Sequence, residues 1–127
     1  MVFTDTAERP AMRIYDATLN TLRGLTCAAK SETAPRQEMV ALVLALPFGA
    51  LIAPSVGWYV AMIASLLATL AVELLNTAIE KLADRVTMER DLNIGMAKDF
   101  GSAAVFCALC VVGLIWIAAA AVRFGML

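Results

Sequence analysis

The residues best suited to chemistry lie between Val72 and Arg85, in the stretch V-E-L-L-N-T-A-I-E-K-L-A-D-R. A helix turns about 100° per residue, which places five polar side chains of this stretch within roughly 100° of one another. The members of this stripe are Glu73, Asn76, Thr77, Glu80 and Asp84. The stripe begins inside an apolar run, and an ionisable residue within a membrane segment is costly enough to indicate a functional site. Glu73 is therefore the centre of the candidate site.

The chemistry that such a stripe supports is transfer of a phosphoryl group to a membrane alcohol. Clustered carboxylate and amide oxygens suit Mg²⁺, which proteins usually hold with one or two carboxylates plus substrate phosphates. Lys98 and nearby arginines suit a polyphosphate. Glu73 lies at membrane depth, where it could accept the proton of a membrane hydroxyl. Glu80 lies two helical turns away, about 11 Å, too far for both carboxylates to bind one ion.

The composition indicates a membrane protein and excludes several classes of site. The chain has 127 residues, which suits one domain, and it is 61% hydrophobic with a mean hydropathy of +0.80. A net charge of −1 provides no basic footprint for nucleic acid. The absence of His excludes a His base or ligand, and no Gly-rich phosphate loop is present. The N-terminal residues lack the apolar core expected of a signal peptide.

Four helical segments are predicted to position the stripe. Residues 9–31 are amphipathic and suit a helix lying in the membrane interface. Membrane helices are predicted over residues 37–53, 58–85 and 98–123. A charged hinge over residues 30–38, which contains Pro35, and a polar loop over residues 86–97 are expected to connect them. The predicted fold is an all-α membrane protein, with three transmembrane helices plus an N-terminal amphipathic surface helix.

The distribution of Lys and Arg predicts the orientation of these helices. Cations lie before the first membrane helix and between the second and third, whereas the turn between the first and second has none. They are Arg9, Arg13, Arg23, Lys30, Arg36, Lys81, Arg85, Arg90 and Lys98. The positive-inside rule therefore puts the N-terminus and the 86–97 loop on the cytoplasmic side. Because three helices shield several carboxylates poorly, a homo-oligomer is expected.

The stretch from Val72 to Arg85, followed by M-A-K-D-F-G-S-A-A-V, resembles the signature of the prokaryotic diacylglycerol kinase family. The resemblance extends back through E-x-x-x-R-Q-E at Glu32 to Glu38 and R-G-L at residues 23–25. It implies a homotrimeric lipid kinase of the bacterial inner membrane, with cytoplasmic active sites shared between neighbouring protomers. It further implies transfer of the γ-phosphate of ATP to diacylglycerol, with Mg²⁺, to give phosphatidic acid.

The resemblance also implies roles for individual residues. Glu73 matches the catalytic base, Glu32 and Glu80 match the Mg²⁺ carboxylates, and Asn76 matches a polar residue that fixes the base and the phosphate. The implied nucleotide and metal contacts are Arg13, Asn20, Glu32, Asn76, Glu80, Glu89, Arg90, Asp91, Lys98 and Asp99. The implied lipid contacts are Arg13, Gln37, Glu38, Glu73 and Ser102.

Three positions depart from the family pattern. Asn20 stands where the best-known members carry an aromatic residue near the nucleotide, and Ser31 stands where an Asn precedes the metal-binding Glu. Pro35 is unusual in the lipid-side segment. Asp84 has no assigned role beyond positioning the loop, and Lys81 is expected at the solvated rim.

Other functions compete with diacylglycerol phosphorylation. The same chemistry with a polyprenol acceptor, as in undecaprenol kinases, is the nearest alternative. A small proton-coupled transporter is the non-enzyme alternative, but such proteins have four spans with the key Glu in the first. A structural membrane subunit would not require Asn76, Glu80, Asp84 and Lys98 arranged around Glu73.

Overall fold

The computed structural model describes residues 10–127, which form four α-helices. Helix α1 spans Pro10–Ser31, α2 spans Thr33–Ile52, α3 spans Val56–Val86 and α4 spans Leu92–Arg123. No strand occurs between residues 10 and 127, so the predicted all-α class is confirmed. Arg9, where the amphipathic segment was predicted to begin, lies outside the described residues.

Helices α2, α3 and α4 are each long and apolar enough to cross a membrane, as predicted. Helix α3 contains 31 residues without a break. At 1.5 Å per residue it is about 46 Å long, compared with a hydrocarbon core of about 30 Å. An end of α3 therefore projects beyond the core of a bilayer, as the polar end of the predicted segment requires.

Helix α1 has the exposed apolar side chains expected of an interface helix. Ala28 is its only buried residue within the described range. Met12, Ile14, Tyr15 and Leu22 are all exposed. Because these side chains have no protein core to cover them, the helix suits the boundary between lipid headgroups and acyl chains.

The predicted hinge over residues 30–38 is wrong in extent, because only Glu32 separates α1 from α2. Helix α2 begins at Thr33 rather than at residue 37 and contains Pro35 as its third residue. A backbone N–H is not needed in the first turn of a helix, so proline is tolerated there. Pro35 is also one of the most completely buried side chains, which fixes the start of α2 in the protein.

The predicted polar loop over residues 86–97 is also too long, because α4 begins at Leu92 rather than at residue 98. Asp91 caps α4, and its Oδ1 accepts a hydrogen bond of 3.0 Å from the backbone N–H of Ile94. At the other end of α3, Ser55 accepts a hydrogen bond from the Trp58 N–H, so α3 begins at Val56 rather than at residue 58. These caps satisfy backbone donors that would otherwise lack partners.

Helices α3 and α4 form the most extensive helix pair and run antiparallel. Trp116 Nε1 donates to the Met62 carbonyl oxygen at 3.3 Å near one end of the pair. Lys98 and Asp84 meet near the other end. The set of buried α3 residues includes both apolar and polar side chains. Its members are Met62, Ser65, Thr69, Leu70, Glu73, Asn76 and Ala83.

Candidate active site

Glu73 lies at a cavity formed by α2, α3 and α4. The Glu73 residue is only 7% exposed, although it sits on a helix that can span a membrane. The cavity has a volume of about 370 Å³, and α4 contributes a wholly apolar wall. Its lining residues are Ala34, Gln37, Glu38, Ala41, Glu73, Val105 and Leu109. The structure thus brings together Gln37, Glu38 and Glu73, three of the lipid contacts that the family resemblance implies.

Glu38 contributes a second carboxylate to this cavity. Its Oε2 atom is buried and has no hydrogen-bond partner within residues 10–127. A buried acceptor without a donor costs about 1–3 kcal/mol. A proton or a ligand hydroxyl at this position would remove that cost, so the cavity favours a ligand with an O–H donor.

Asn76 connects the buried part of the stripe to its exposed part. The Asn76 residue is 7% exposed, and its Nδ2 donates a hydrogen bond of 3.3 Å to Oε1 of the exposed Glu80. Its Oδ1 is buried without a partner within the described residues. The stripe therefore passes from buried Glu73 through Asn76 to exposed Glu80, and a group placed along it would meet all three side chains in order.

Gly101 of α4 lies directly against Asn76, a contact that the sequence did not predict. A Cβ atom at position 101 would collide with Asn76 Oδ1. A residue as small as Gly101 permits close approach of two membrane helices. The absence of a side chain at position 101 is thus required for the observed position of the Asn76 amide.

Asp84 pairs with Lys98, which gives the least defined member of the stripe a partner. The Lys98 Nζ atom lies 2.5 Å from Asp84 Oδ1, and both side chains are part-exposed. The ion pair joins the last turns of α3 to the first part of α4. It therefore holds Lys98, a predicted nucleotide contact, at the end of the stripe.

Lys81 is exposed, as expected for the solvated rim, and it pairs with Glu32. The Lys81 Nζ atom lies 2.5 Å from Glu32 Oε1. Because Glu32 is the residue between α1 and α2, this ion pair links their junction to α3. The predicted metal ligand Glu32 is thus held beside the turn of α3 that carries Glu80.

The carboxylates of this region fit a metal that is bound largely through a substrate. No group of three His, Cys, Asp or Glu side chains within residues 10–127 is close enough to hold a metal ion. Mg²⁺ in nucleotide sites commonly takes only one or two protein carboxylates, with phosphate oxygens and water as the remaining ligands. Glu32 and Glu80 supply oxygen donors of that kind but do not form a cage.

A second polar region lies where α4 begins. Arg90, Asp91 and Asp99 line a cavity of about 380 Å³ with Leu92, Gly95 and Met96. The structure therefore groups three of the predicted nucleotide contacts. Asp91 Oδ1 is also the cap of α4. Glu89, whose backbone N–H donates to Thr87 Oγ1 at 3.0 Å, does not line this cavity.

Arg13, Asn20 and Ser102, like Glu89, line neither of these cavities. Arg13 and Asn20 are exposed on α1, and neither makes a side-chain hydrogen bond or an ion pair to another residue of the described range. Ser102 is exposed on α4 and does not line the cavity around Glu73. Within one chain these side chains point to surroundings other than the described site.

The chain is similar to known proteins over most of its length. A family model described as prokaryotic diacylglycerol kinase matches residues 19–120, which include every predicted site residue except Arg13. Diacylglycerol kinase of Pseudomonas aeruginosa is 44% identical over 104 residues, 82% of this chain and 85% of that protein. Diacylglycerol kinase of Haemophilus influenzae is 41% identical over 103 residues, 81% of this chain and 87% of that protein. Diacylglycerol kinase of Escherichia coli K12 is 38% identical over 104 residues, with coverages of 82% and 85%.

Proposed function

The chain belongs to the prokaryotic diacylglycerol kinase family, and we therefore propose that it phosphorylates diacylglycerol to phosphatidic acid within a membrane. Membership of a kinase family implies a nucleotide donor and, typically, a divalent metal ion; we propose ATP and Mg²⁺. One observation carries the assignment to this site. Glu73 is buried on a membrane-length helix, at a cavity with an apolar wall, and polar side chains follow it towards the end of the helix.

The proposed reaction begins at the hydroxyl of the lipid. Glu73 accepts the hydroxyl proton while the hydroxyl oxygen forms a bond to the γ-phosphorus of ATP. The bond between that phosphorus and the bridging oxygen breaks, and ADP leaves. Asn76 lies between the base and the nucleotide end of the stripe, where its amide can orient both the carboxylate and the phosphoryl group. The apolar wall of Val105 and Leu109 suits the glyceride part of the lipid.

We propose that Glu32 and Glu80 hold Mg²⁺ together with the phosphates of ATP. The ion would supply neutralisation of phosphate charge. Lys98, Arg90 and Asp99 are the proposed nucleotide contacts nearest the end of the stripe. The ion pair between Lys98 and Asp84 supports this assignment, because it keeps a cation at that end.

We propose that the protein acts as a homotrimer, with sites shared between protomers. Arg13, Asn20 and Ser102 are exposed within one chain, and they are proposed to contact substrates across the interface between chains. Glu73, by contrast, is already buried by a single chain. The need for an oligomer therefore rests on the exposed site residues and not on shielding of the base.

We propose a cytoplasmic site in the bacterial inner membrane. The connections between α1 and α2 and between α3 and α4 lie near one end of the bundle, since Glu32 and Lys98 both pair with the last turns of α3. Lys30, Arg36, Arg85, Arg90 and Lys98 lie in or beside these connections, whereas residues 53–55 at the other end of α3 contain no Lys or Arg. The positive-inside rule assigns the first end to the cytoplasm.

An acceptor panel tests the proposed function directly. Purified protein in lipid micelles is given ATP labelled at the γ-phosphate, with diacylglycerol or undecaprenol as acceptor. Labelled phosphatidic acid is expected, and its formation should be absent in the Glu73→Gln variant. The names of the relatives favour diacylglycerol over a polyprenol. Preferential labelling of undecaprenol, or proton transport without label transfer, would overturn the proposal.

A further inference from the structure

Glu32 forms an ion pair with Lys81, a cation of its own chain. Its Oε1 lies 2.5 Å from Lys81 Nζ, and the side chains are 26% and 62% exposed, respectively. Lys81 follows Glu80 directly in the sequence. The lysine therefore pairs with one of the two carboxylates that we assign to the metal and is the sequence neighbour of the other, although the resemblance gives it no role.

The ion pair between Glu32 and Lys81 has the properties that an exchange of partners requires. An ion pair of this exposure is weak, because water competes for both charges. When the Glu32 carboxylate binds a divalent ion, its charge is shared with that ion and its ion pair with Lys81 is weakened. The Lys81 ammonium group then needs another anion as its partner. Lysine is a compact charge on a flexible stem, which suits the oxygen atoms of a phosphate.

Space for this movement is present beside the pair. Glu32 and Lys81 line a cavity of about 460 Å³ between α1 and α3, together with side chains such as Ser31 and Thr77. The walls of this cavity are mostly apolar, so the ion pair is its charged edge. Lys81 can swing away from Glu32 without displacing packed side chains.

We propose that Lys81 is a partner-switching residue of the nucleotide site. It neutralises Glu32 when no metal is bound, and it turns to the phosphates when Glu32 binds the metal of the metal–nucleotide complex. The inference rests on the proposed function, since it takes Glu32 as a metal ligand. In this role Lys81 opposes binding of the metal ion alone and favours binding of the metal–nucleotide complex.

Two binding measurements on the full-length protein in lipid test the switch. The first is Mn²⁺ alone, followed through the electron paramagnetic resonance signal of the free ion. The second is a non-hydrolysable ATP analogue with saturating Mg²⁺, followed by calorimetry. The variants are Lys81→Gln, Lys81→Arg and the control Lys30→Gln. Lys30 is an exposed cation of α1 that makes no ion pair within the described residues.

The expected result is a pair of opposite shifts. Lys81→Gln should bind Mn²⁺ about two- to fivefold more tightly, because Glu32 loses its competing cation. The same variant should bind the Mg²⁺–nucleotide analogue about three- to tenfold more weakly, because a charged phosphate contact is lost. Lys81→Arg should lie close to the unaltered protein in both measurements, and Lys30→Gln should change neither.

Glu32→Gln separates failure of the switch from failure of the proposed function. If the Glu32→Gln variant binds Mn²⁺ with the same affinity as the unaltered protein, Glu32 is not a metal ligand. The partner-switching role of Lys81 is then wrong too. If Glu32→Gln weakens Mn²⁺ binding but Lys81→Gln matches Lys30→Gln in either measurement, only the switch is overturned.

Discussion

Gly101 and Asn76 face each other across the contact between α4 and α3, so closely that no side chain at position 101 fits beside the Asn76 amide. Asn76 is in turn the donor that reaches Glu80 from the buried part of the stripe. The geometry of the proposed site therefore depends on a residue that bears no functional group.

Gly101→Ala should lower turnover by about a hundredfold, because displacement of Asn76 shifts the groups around the reacting atoms. The steady-state rate of lipid phosphorylation measures this effect. Overpacking should also lower the free energy of unfolding by about 1–3 kcal/mol. Gly113→Ala is the matched control on the same helix, since a Cβ at Gly113 meets no described atom within 4 Å. Equal turnover of the two variants would contradict the positioning role of Gly101.

Glu73→Gln should reduce phosphoryl transfer by at least about 10²-fold, because the amide cannot accept the proton of the lipid hydroxyl. Nucleotide binding and assembly should persist, since the substitution keeps the size of the side chain. Turnover, calorimetric ATP binding and chromatographic size are the three measurements. Asp16→Asn, at an exposed position of α1, is the control. Near-normal turnover of Glu73→Gln would exclude the general-base role.

Glu80→Ala should raise the Mg²⁺ concentration needed for half-maximal activity by about tenfold, because a charged ligand of the metal–nucleotide complex is lost. The measurement is activity against Mg²⁺ concentration at fixed ATP. Glu80→Gln is the informative comparison, since its amide oxygen can still accept the hydrogen bond from Asn76 Nδ2 that Glu80 Oε1 accepts at 3.3 Å. If Glu80→Gln restores the normal Mg²⁺ dependence, Glu80 orients Asn76 and is not a ligand.

Exchange of the charges of Asp84 and Lys98 should separate stability from catalysis. The double variant Asp84→Lys with Lys98→Asp can form the ion pair, so its unfolding free energy should exceed the additive expectation from the single variants. The difference should be about 0.2–1 kcal/mol, as for other part-exposed pairs. Its activity should remain as low as that of Lys98→Ala, because the cation has moved away from α4. Recovery of activity by the exchange would assign Lys98 a purely structural role.

Mixing two inactive variants should restore activity if neighbouring chains share each site. Glu73→Gln and Arg13→Ala protomers are unfolded together in equal amounts and reassembled in lipid, because Glu73 is buried by its own chain whereas Arg13 is proposed to act across the interface. Random assembly leaves roughly a quarter of shared sites with both functional side chains. The expected recovery is thus a similar fraction of the activity of the unaltered protein. No recovery in assemblies that are shown to be mixed would place the base and Arg13 in the site of one chain.

Periodicity and hydropathy were sufficient to predict the helices and the order of the polar stripe. An apolar run that spans a bilayer has few structural alternatives, since helices satisfy all their backbone hydrogen bonds internally. The spacing of Glu73, Asn76 and Glu80 then fixes their relative positions along α3, whatever the rest of the fold. The grouping of Gln37 and Glu38 with Glu73 in one cavity was implied by the family resemblance and not by periodicity.

The incorrect helix boundaries and the missed contacts arose where a tertiary contact or a single capping residue determines the structure. Pro35 predicts a break, but in the first turn its missing N–H costs nothing, so the break falls at Glu32 instead. Asp91 sits in a polar run that suits a loop, yet its side chain starts α4. The contact of Gly101 with Asn76 and the pairing of Lys81 with Glu32 depend on how separate helices meet, which periodicity along one helix does not encode.

The unbroken course of α3 fixes the depth at which the proposed reaction takes place. Between Glu73 and Glu80 the helix advances about 11 Å, and no break lets this separation adjust. An alcohol held deeper in the bilayer than Glu73 would not reach the phosphoryl group. An alcohol at the water surface would lie too far from Glu73 for the carboxylate to accept its proton. In the proposed reaction, lipids would therefore be selected by the level of their hydroxyl in the membrane, before the shape of their chains has any influence.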